Sequence, residues 1–212
     1  MQSLPKLHLI TDTSTQQRYN HFELLQFIPQ DSNIVIQFRE KQFTSEKYSQ
    51  LEKAYNFCIE KKIPLIINDY VSICEKFENT GIHVGIEDTP LDEVCKRLPN
   101  RLIGATVHNE EELYIAQRQP VSYIGVGPIF ASSSKKMALP PMGLQGLVSF
   151  CPKTSIPVIA IGGITEKTAY EVLASGAYGI AIIGAWCQAS NPGEVISKFL
   201  RIINDYHATK DT

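Results

Sequence analysis

The sequence predicts a single-domain α/β fold, a (β/α)8 TIM barrel over residues 1–212, on three observations. Short apolar runs of strand length alternate with helix-period stretches from one end of the chain to the other. The runs are rich in Val and Ile and nearly continuous in apolarity, as parallel strands buried on both faces require. There are eight of them, and dividing 212 residues among eight units leaves 26.5 each, which fits a small barrel with no length for a second domain. A doubly wound open sheet is the alternative; it uses about five or six strands and would leave two units over.

Strands are expected near Leu7 (LHLIT), Ile34 (IVIQF), Ile63 (IPLIIN), Gly81 (GIHVG), Leu102 (LIGATV), Val121 (VSYIGVG), Ile156 (IPVIAIGG) and Tyr178 (YGIAII). Helices follow from the spacing of Phe22-Leu25-Ile28, Tyr48-Leu51-Tyr55-Cys58, Val71-Cys74-Phe77, Leu91-Val94-Leu98, Leu113-Ala116, Ala169-Val172-Leu173 and Val195-Phe199-Ile202. Thr89 before Pro90 reads as a cap ahead of a first-turn proline, Asn109 with Glu112 as a capping box, and Gly176 as a left-handed helix end. The longest connection runs from about Gly127 to Pro141; a stretch of that length without regular structure is usually functional or mobile.

Composition excludes several classes. Lys+Arg of 20 against Asp+Glu of 22 provides no basic excess for nucleic acid. No apolar run reaches the roughly 18 residues of a membrane span. The N-terminus lacks a signal-peptide core, and five cysteines without a CxxC pair read as reduced thiols, so a cytoplasmic protein is expected.

In a barrel, chemistry belongs at the C-terminal strand ends. After strand 2, Gln37, Arg39 and Lys41 share a face, and two converging cations suit a polyphosphate; a solvated strand end is the alternative. After strands 3 and 4, Asn68-Asp69 and Glu87-Asp88 form a hard oxygen site suited to Mg²⁺ shared with substrate phosphates, unless Asp69 merely caps a helix and Asp88 a turn. After strand 5, Thr106 and His108 lie on one face, with His108 a general base or a packing residue, while His83 reads as a satisfied histidine of the core or mouth. Residues 127–136, with Ser132, Ser134 and Lys135, form either an adaptable anion-binding loop or a polar linker. Gly162-Gly163 after strand 7 and Ile183-Gly184 after strand 8 sit where barrels recurrently bind phosphate. Two anion sites are therefore expected, one metal-assisted at strands 2, 3, 4 and 6, the other at strands 7 and 8.

The segments Gln37-Phe38-Arg39-Glu40-Lys41, Ile67-Asn68-Asp69, Gly81-Ile82-His83-Val84-Gly85-Ile86-Glu87-Asp88, residues 123–130 (YIGVGPIF), residues 132–136 (SSSKK) and residues 160–165 (AIGGIT) occur in that order. In them the chain resembles the thiamine phosphate synthase (thiamine-phosphate pyrophosphorylase) family along its whole length. The resemblance implies a transferase that condenses hydroxymethylpyrimidine diphosphate with hydroxyethylthiazole phosphate, giving thiamine monophosphate and pyrophosphate. It implies early rupture of the C–O bond to leave a pyrimidine-stabilised carbocation, with Mg²⁺ on Asp69 and Asp88. Arg39, Lys41, Asn68 and Lys135 would then hold the diphosphate, with Gln37 beside the pyrimidine and Thr106 in place of a family serine near the reacting centre. Ser132, Ser134, Gly163 and the strand 8 backbone at Ile183 and Gly184 would bind the thiazole phosphate. A homodimer is the implied assembly. The chain departs from the family pattern at Ala131, Ser132, Gly184 and Ser122, where proline, threonine, serine and aspartate are common; the first three touch the thiazole-phosphate side.

Two rivals remain. A sister branch, the thiazole tautomerases, uses the histidine corresponding to His108 for proton transfer and lacks the Asn-Asp pair and the third basic residue of the strand 2 motif. Asn68, Asp69 and Lys41 are all present here, which favours the synthase. The other rival is a non-catalytic binder of thiamine phosphates.

Overall fold

The computed structural model describes residues 4–14, 16, 18–30, 33–85, 87–131 and 140–210. Eight parallel strands close into a barrel in chain order: β1 (Leu7–Thr11), β2 (Ile34–Phe38), β3 (Leu65–Asn68), β4 (Gly81–Val84), β5 (Ile103–Val107), β6 (Tyr123–Val126), β7 (Val158–Ile161) and β8 (Gly179–Ile182), with β8 pairing back onto β1. All eight lie in the runs expected to form them. Between and after them come α1 (His21–Leu25), α2 (Ser45–Lys61), α3 (Val71–Cys74), α4 (Leu91–Arg97), α5 (Glu110–Gln117), α6 (Gly143–Phe150), α7 (Ala169–Ala174), α8 (Gly184–Cys187) and α9 (Pro192–Ala208).

Alternation along each strand divides the core in two. Residues such as Leu7, Leu9, Ile34, Ile36 and Phe38 point outward and pack under the helices. Ile10, Val35, Ile66, Tyr123, Ile159 and Ala181 point inward and fill the barrel. Both sets are buried, which is why the strands read as unbroken apolar runs. On the β4–β6 side the interior is lined by glycine. A Cβ on Gly104 would lie 2.1 Å from the Tyr123 ring, and one on Gly125 would lie 3.2 Å from His83. Those glycines make room for an aromatic ring and an imidazole inside the barrel.

Local signals have mixed outcomes. Gly176 takes φ +105° just past α7, as a left-handed end requires. Asn109 accepts from the Glu112 N–H at 3.0 Å, but the Glu112 carboxylate reaches back to the N–H of His108, one residue before the cap, so the box is only half formed. Thr89 does not cap α4. Pro90 itself occupies the cap position, with extended backbone (ψ 135°), so Thr89 lies one residue too early. Trp186, fully buried on α8, donates its indole N–H to the Ile10 carbonyl at 3.0 Å and ties the last βα unit to β1. All five cysteines are free thiols. No helix among the described residues is long and apolar enough to cross a membrane.

Candidate active site

The C-terminal rim of the barrel collects four polar groupings. The first is built on the ends of β3 and β4. Asp69 follows the last residue of β3 and takes φ +69°, a left-handed backbone that is uncommon outside glycine and tends to persist where a site requires it. Its N–H donates to the His83 carbonyl at 2.8 Å, continuing the strand pairing. Its side chain does not cap α3, whose cap is Tyr70 without a side-chain bond. The carboxyl instead meets Lys41 Nζ at 2.6 Å and lies close enough to the Asp88 carboxyl for that group to act on its ionisation. Asp88 is held from behind, its Oδ2 accepting the Gly85 N–H at 2.7 Å. Burial first, and the Asp88 carboxyl next, push the Asp69 carboxyl above its usual range, while Lys41 opposes them. The Tyr70 hydroxyl donates to the Lys41 carbonyl at 2.6 Å and fastens the β2 loop to the β3 loop.

The second grouping spans β1 and β2. Gln37 and Asn68 are buried, and the Gln37 amide donates to Asn68 Oδ1 at 2.6 Å. The Arg39 guanidinium pairs with Asp12, whose other carboxylate oxygen accepts the Ser14 N–H at 2.7 Å. Behind them, His21 Nδ1 lies 2.7 Å from the Thr11 hydroxyl and its Nε2 lies 3.2 Å from Glu40, which also faces Lys47 at 3.4 Å. Burial drives the His21 pKa down to about 4 although Glu40 pulls it up, so the ring is neutral near pH 7. Burial also lifts Glu40, but the Gln42 N–H and then His21 outweigh it and carry Glu40 below the usual carboxylate range.

The third grouping joins β4, β5 and β6. His83 stands between two hydroxyls, with Nδ1 3.0 Å from Tyr123 and Nε2 3.0 Å from Thr106. His108, on the same face as Thr106, turns to Glu112 at 3.2 Å and lines a separate hollow of about 260 Å³ with Pro128 and Met142. The fourth grouping is a cleft of about 290 Å³ over β7 and β8, lined by Ala131, Gly162, Gly163, Thr165, Ile183 and Gly184 among others. Gly162 and Gly163 take φ +102° and +65°, and a Cβ on Gly163 would stand 2.5 Å from the Ala131 carbonyl, so only glycine fits this wall. The N–H groups of Gly184 and Ala185, in the first turn of α8, have no carbonyl acceptor within that helix.

The structure thus brings Lys41, Asp69 and Asp88 together, pairs Gln37 with Asn68, places Arg39 beside Asp12, and gathers Gly163, Ile183 and Gly184 around a cleft. Thr106 lies with His83, and His108 lies apart. Ser132, Ser134 and Lys135 fall outside the described residues. The sequence reading did not single out Asp12, His21 or Tyr123. Asp12 carried a usable signal, because it ends LHLITD with the same inward parity as Ile10. His21 and Tyr123 carried none, since their partners are distant in sequence.

Among the described residues no cluster of three or more His, Cys, Asp or Glu is poised to cage a metal. Two neighbouring carboxylates, one on a left-handed backbone, are nevertheless a donor set of the kind that holds Mg²⁺ together with substrate phosphates. Fold and rim together define a (β/α)8 barrel whose described polar groups gather at the C-terminal ends of its strands. The chain matches the thiamine monophosphate synthase family (TMP-TENI) over residues 7–186. It is 35% identical over 204 residues to the thiamine-phosphate synthase of Salinibacter ruber, covering 95% of this chain and 90% of that one. It is 37% identical over 175 residues to the thiamine-phosphate synthase of Dictyoglomus turgidum, covering 81% and 78%. The thiamine phosphate pyrophosphorylase of Pyrococcus furiosus superposes with a TM-score of 0.84 at 28% identity, covering 95% and 96%. The chain belongs to the thiamine monophosphate synthase family, and its thiamine-phosphate synthase relatives are transferases of thiamine biosynthesis.

Proposed function

We propose that the chain condenses hydroxymethylpyrimidine diphosphate with hydroxyethylthiazole phosphate, breaking the C–O bond to the diphosphate and forming a C–N bond to the thiazole nitrogen. Pyrophosphate and thiamine monophosphate leave. The nearness of Asp69 and Asp88, with Lys41 against Asp69, carries this reading. Asp69 and Asp88 would hold Mg²⁺, which when bound offsets the negative charge that gathers on a departing diphosphate. Lys41 exchanges Asp69 for diphosphate oxygens as a point charge, while Arg39, still aimed by Asp12, offers its remaining N–H groups in a two-pronged grip. Asn68 keeps its amide N–H groups for the same anion, since its carbonyl oxygen is taken by Gln37. Gln37 and Thr106 orient the pyrimidine, and Lys135 adds a further cation. The phosphate of the second substrate binds in the cleft at Gly163, Ile183 and Gly184, and Ser132 and Ser134 would supply it with hydroxyl donors. The thiazole nitrogen attacks with its own lone pair and requires no base, so His108 is left out of the chemistry. The enzyme works in the cytoplasm, where its free thiols stay reduced, as the homodimer that the family resemblance implies.

Pyrophosphate release, followed with each substrate alone and with both, in magnesium and in EDTA, tests this reading. Release is expected only with both substrates and the metal. Asp69→Ala and Asp88→Ala should each lower turnover by about 100-fold or more, while His108→Ala keeps most of it. Loss with His108→Ala and retention with Asp69→Ala would assign the chain to the tautomerases, and product binding without turnover would make it a carrier.

A further inference from the structure

The inside of the barrel holds a chain of three side chains, of which the proposed chemistry uses only Thr106. Tyr123 is 1% exposed, yet its hydroxyl is not idle; it lies 3.0 Å from His83 Nδ1, and the two rings stack at 5.5 Å. His83 Nε2 lies 3.0 Å from the Thr106 hydroxyl at the mouth. The missing side chains of Gly104 and Gly125 leave the space this chain occupies. His8 closes the lower end, edge-on to Tyr123 at 4.8 Å. Burial first, and the neighbouring His83 ring next, take the His8 pKa down to about 3, against the Pro5 backbone, so that ring is neutral. Neither His8 ring nitrogen reaches a hydrogen-bond partner of normal geometry, so it does not take the Tyr123 proton.

Proton accounting then fixes the order. Burial pushes the Tyr123 phenol far above its usual range, so it keeps its proton. Among the described residues that O–H has one hydrogen-bond partner, His83 Nδ1. Had Nδ1 carried the imidazole proton, a buried phenol O–H would be left without an acceptor, a cost of about 1–3 kcal/mol. Nδ1 therefore accepts, and with Nδ1 bare the ring hydrogen sits on Nε2 and is donated to Thr106 Oγ1. With that oxygen already accepting from below, the Thr106 O–H turns into the cleft.

We propose that Tyr123 and His83 are positioning residues that set Thr106 as a hydrogen-bond donor toward an acceptor atom of the substrate in the barrel mouth. This deepens the reading given above and rests on it for its kinetic consequences. The tautomer itself depends on nothing but the protein.

Nitrogen-15 NMR of the histidine-labelled protein without substrates reads that tautomer directly. His83 should show a protonated Nε2 and a bare Nδ1; a protonated Nδ1 with a bare Nε2 overturns the proposal even if Tyr123 variants fail to fold. In the two-substrate assay, Tyr123→Phe and Thr106→Val should each lower kcat by about tenfold, with both KM values nearly unchanged, as for one lost hydrogen bond. Thr106→Ser should restore most of the rate. The double variant should be no slower than Thr106→Val alone, because Tyr123 acts only through Thr106. Independent, multiplying losses contradict the chain. If the unaltered protein releases no pyrophosphate, the substrate assignment fails while the tautomer measurement still decides the hydrogen-bond order.

Discussion

Arg39 illustrates what a single residue owes to its neighbours. Its guanidinium is mostly buried and already paired with Asp12, so its direction is set before any anion arrives. Asp12→Asn keeps the shape and removes the charge; kcat/KM for the diphosphate substrate should fall by about tenfold, the scale of one charge-assisted hydrogen bond, and steady-state kinetics will check it. Two-residue alternation was enough to place Gln37 and Arg39 on one face from the sequence, and strand-end position was enough to flag Asn68, Asp69 and Thr106. Alternation says which way a side chain points but not what it meets. The Arg39–Asp12 and Gln37–Asn68 contacts depend on which residues of β1, β2 and β3 lie level, and that register is a property of the closed sheet. The left-handed backbone of Asp69 is only weakly signalled in the sequence, because aspartate is enriched there yet mostly adopts negative φ.

At the scale of an element, α6 and α1 show the two ways a helix can escape notice or be secured. The sequence patterns did not mark α6, because it starts at Gly143, carries a second glycine at 146 and has Met142 in place of a capping side chain. Tertiary burial of Leu147 and Phe150 holds it instead. The five-residue α1 is too short to persist alone and depends on its ends. Asn20 accepts the Glu23 N–H at 2.9 Å, and Glu23 accepts the Asn20 N–H at 2.8 Å, a complete capping box. Asn20→Ala should destabilise the protein by about 1 kcal/mol in urea unfolding. Because α1 carries His21, which backs Glu40, the same change should loosen the strand 2 loop.

For the whole molecule, the number of units and their length foretold a barrel, and the pairing of β8 with β1 realises it. Burial of two neutral histidines, His8 inside the barrel and His21 on α1 against its outer wall, has a global cost in acid. His8 and His21 have folded pKa values lowered to about 3 and about 4, below the 6.5 of the exposed ring. Between those values and 6.5 the unfolded chain binds protons that the folded chain refuses. Stability should therefore fall as pH drops below 6.5, by about 1.4 kcal/mol per pH unit for each ring. Urea midpoints taken from pH 7 to pH 4 should show this slope, and His8→Leu should flatten it by roughly the share of one ring.

The pairing of cations with aspartates at the rim also governs admission. Among the described residues, Asp12, Glu40, Asp69 and Asp88 face Arg39, Lys41 and Lys47 there, four formal negative charges against three positive. With Lys135, which the proposed reaction adds at this doorway, the two signs balance, so an approaching diphosphate meets no net field of either sign. Its association should therefore vary little with ionic strength.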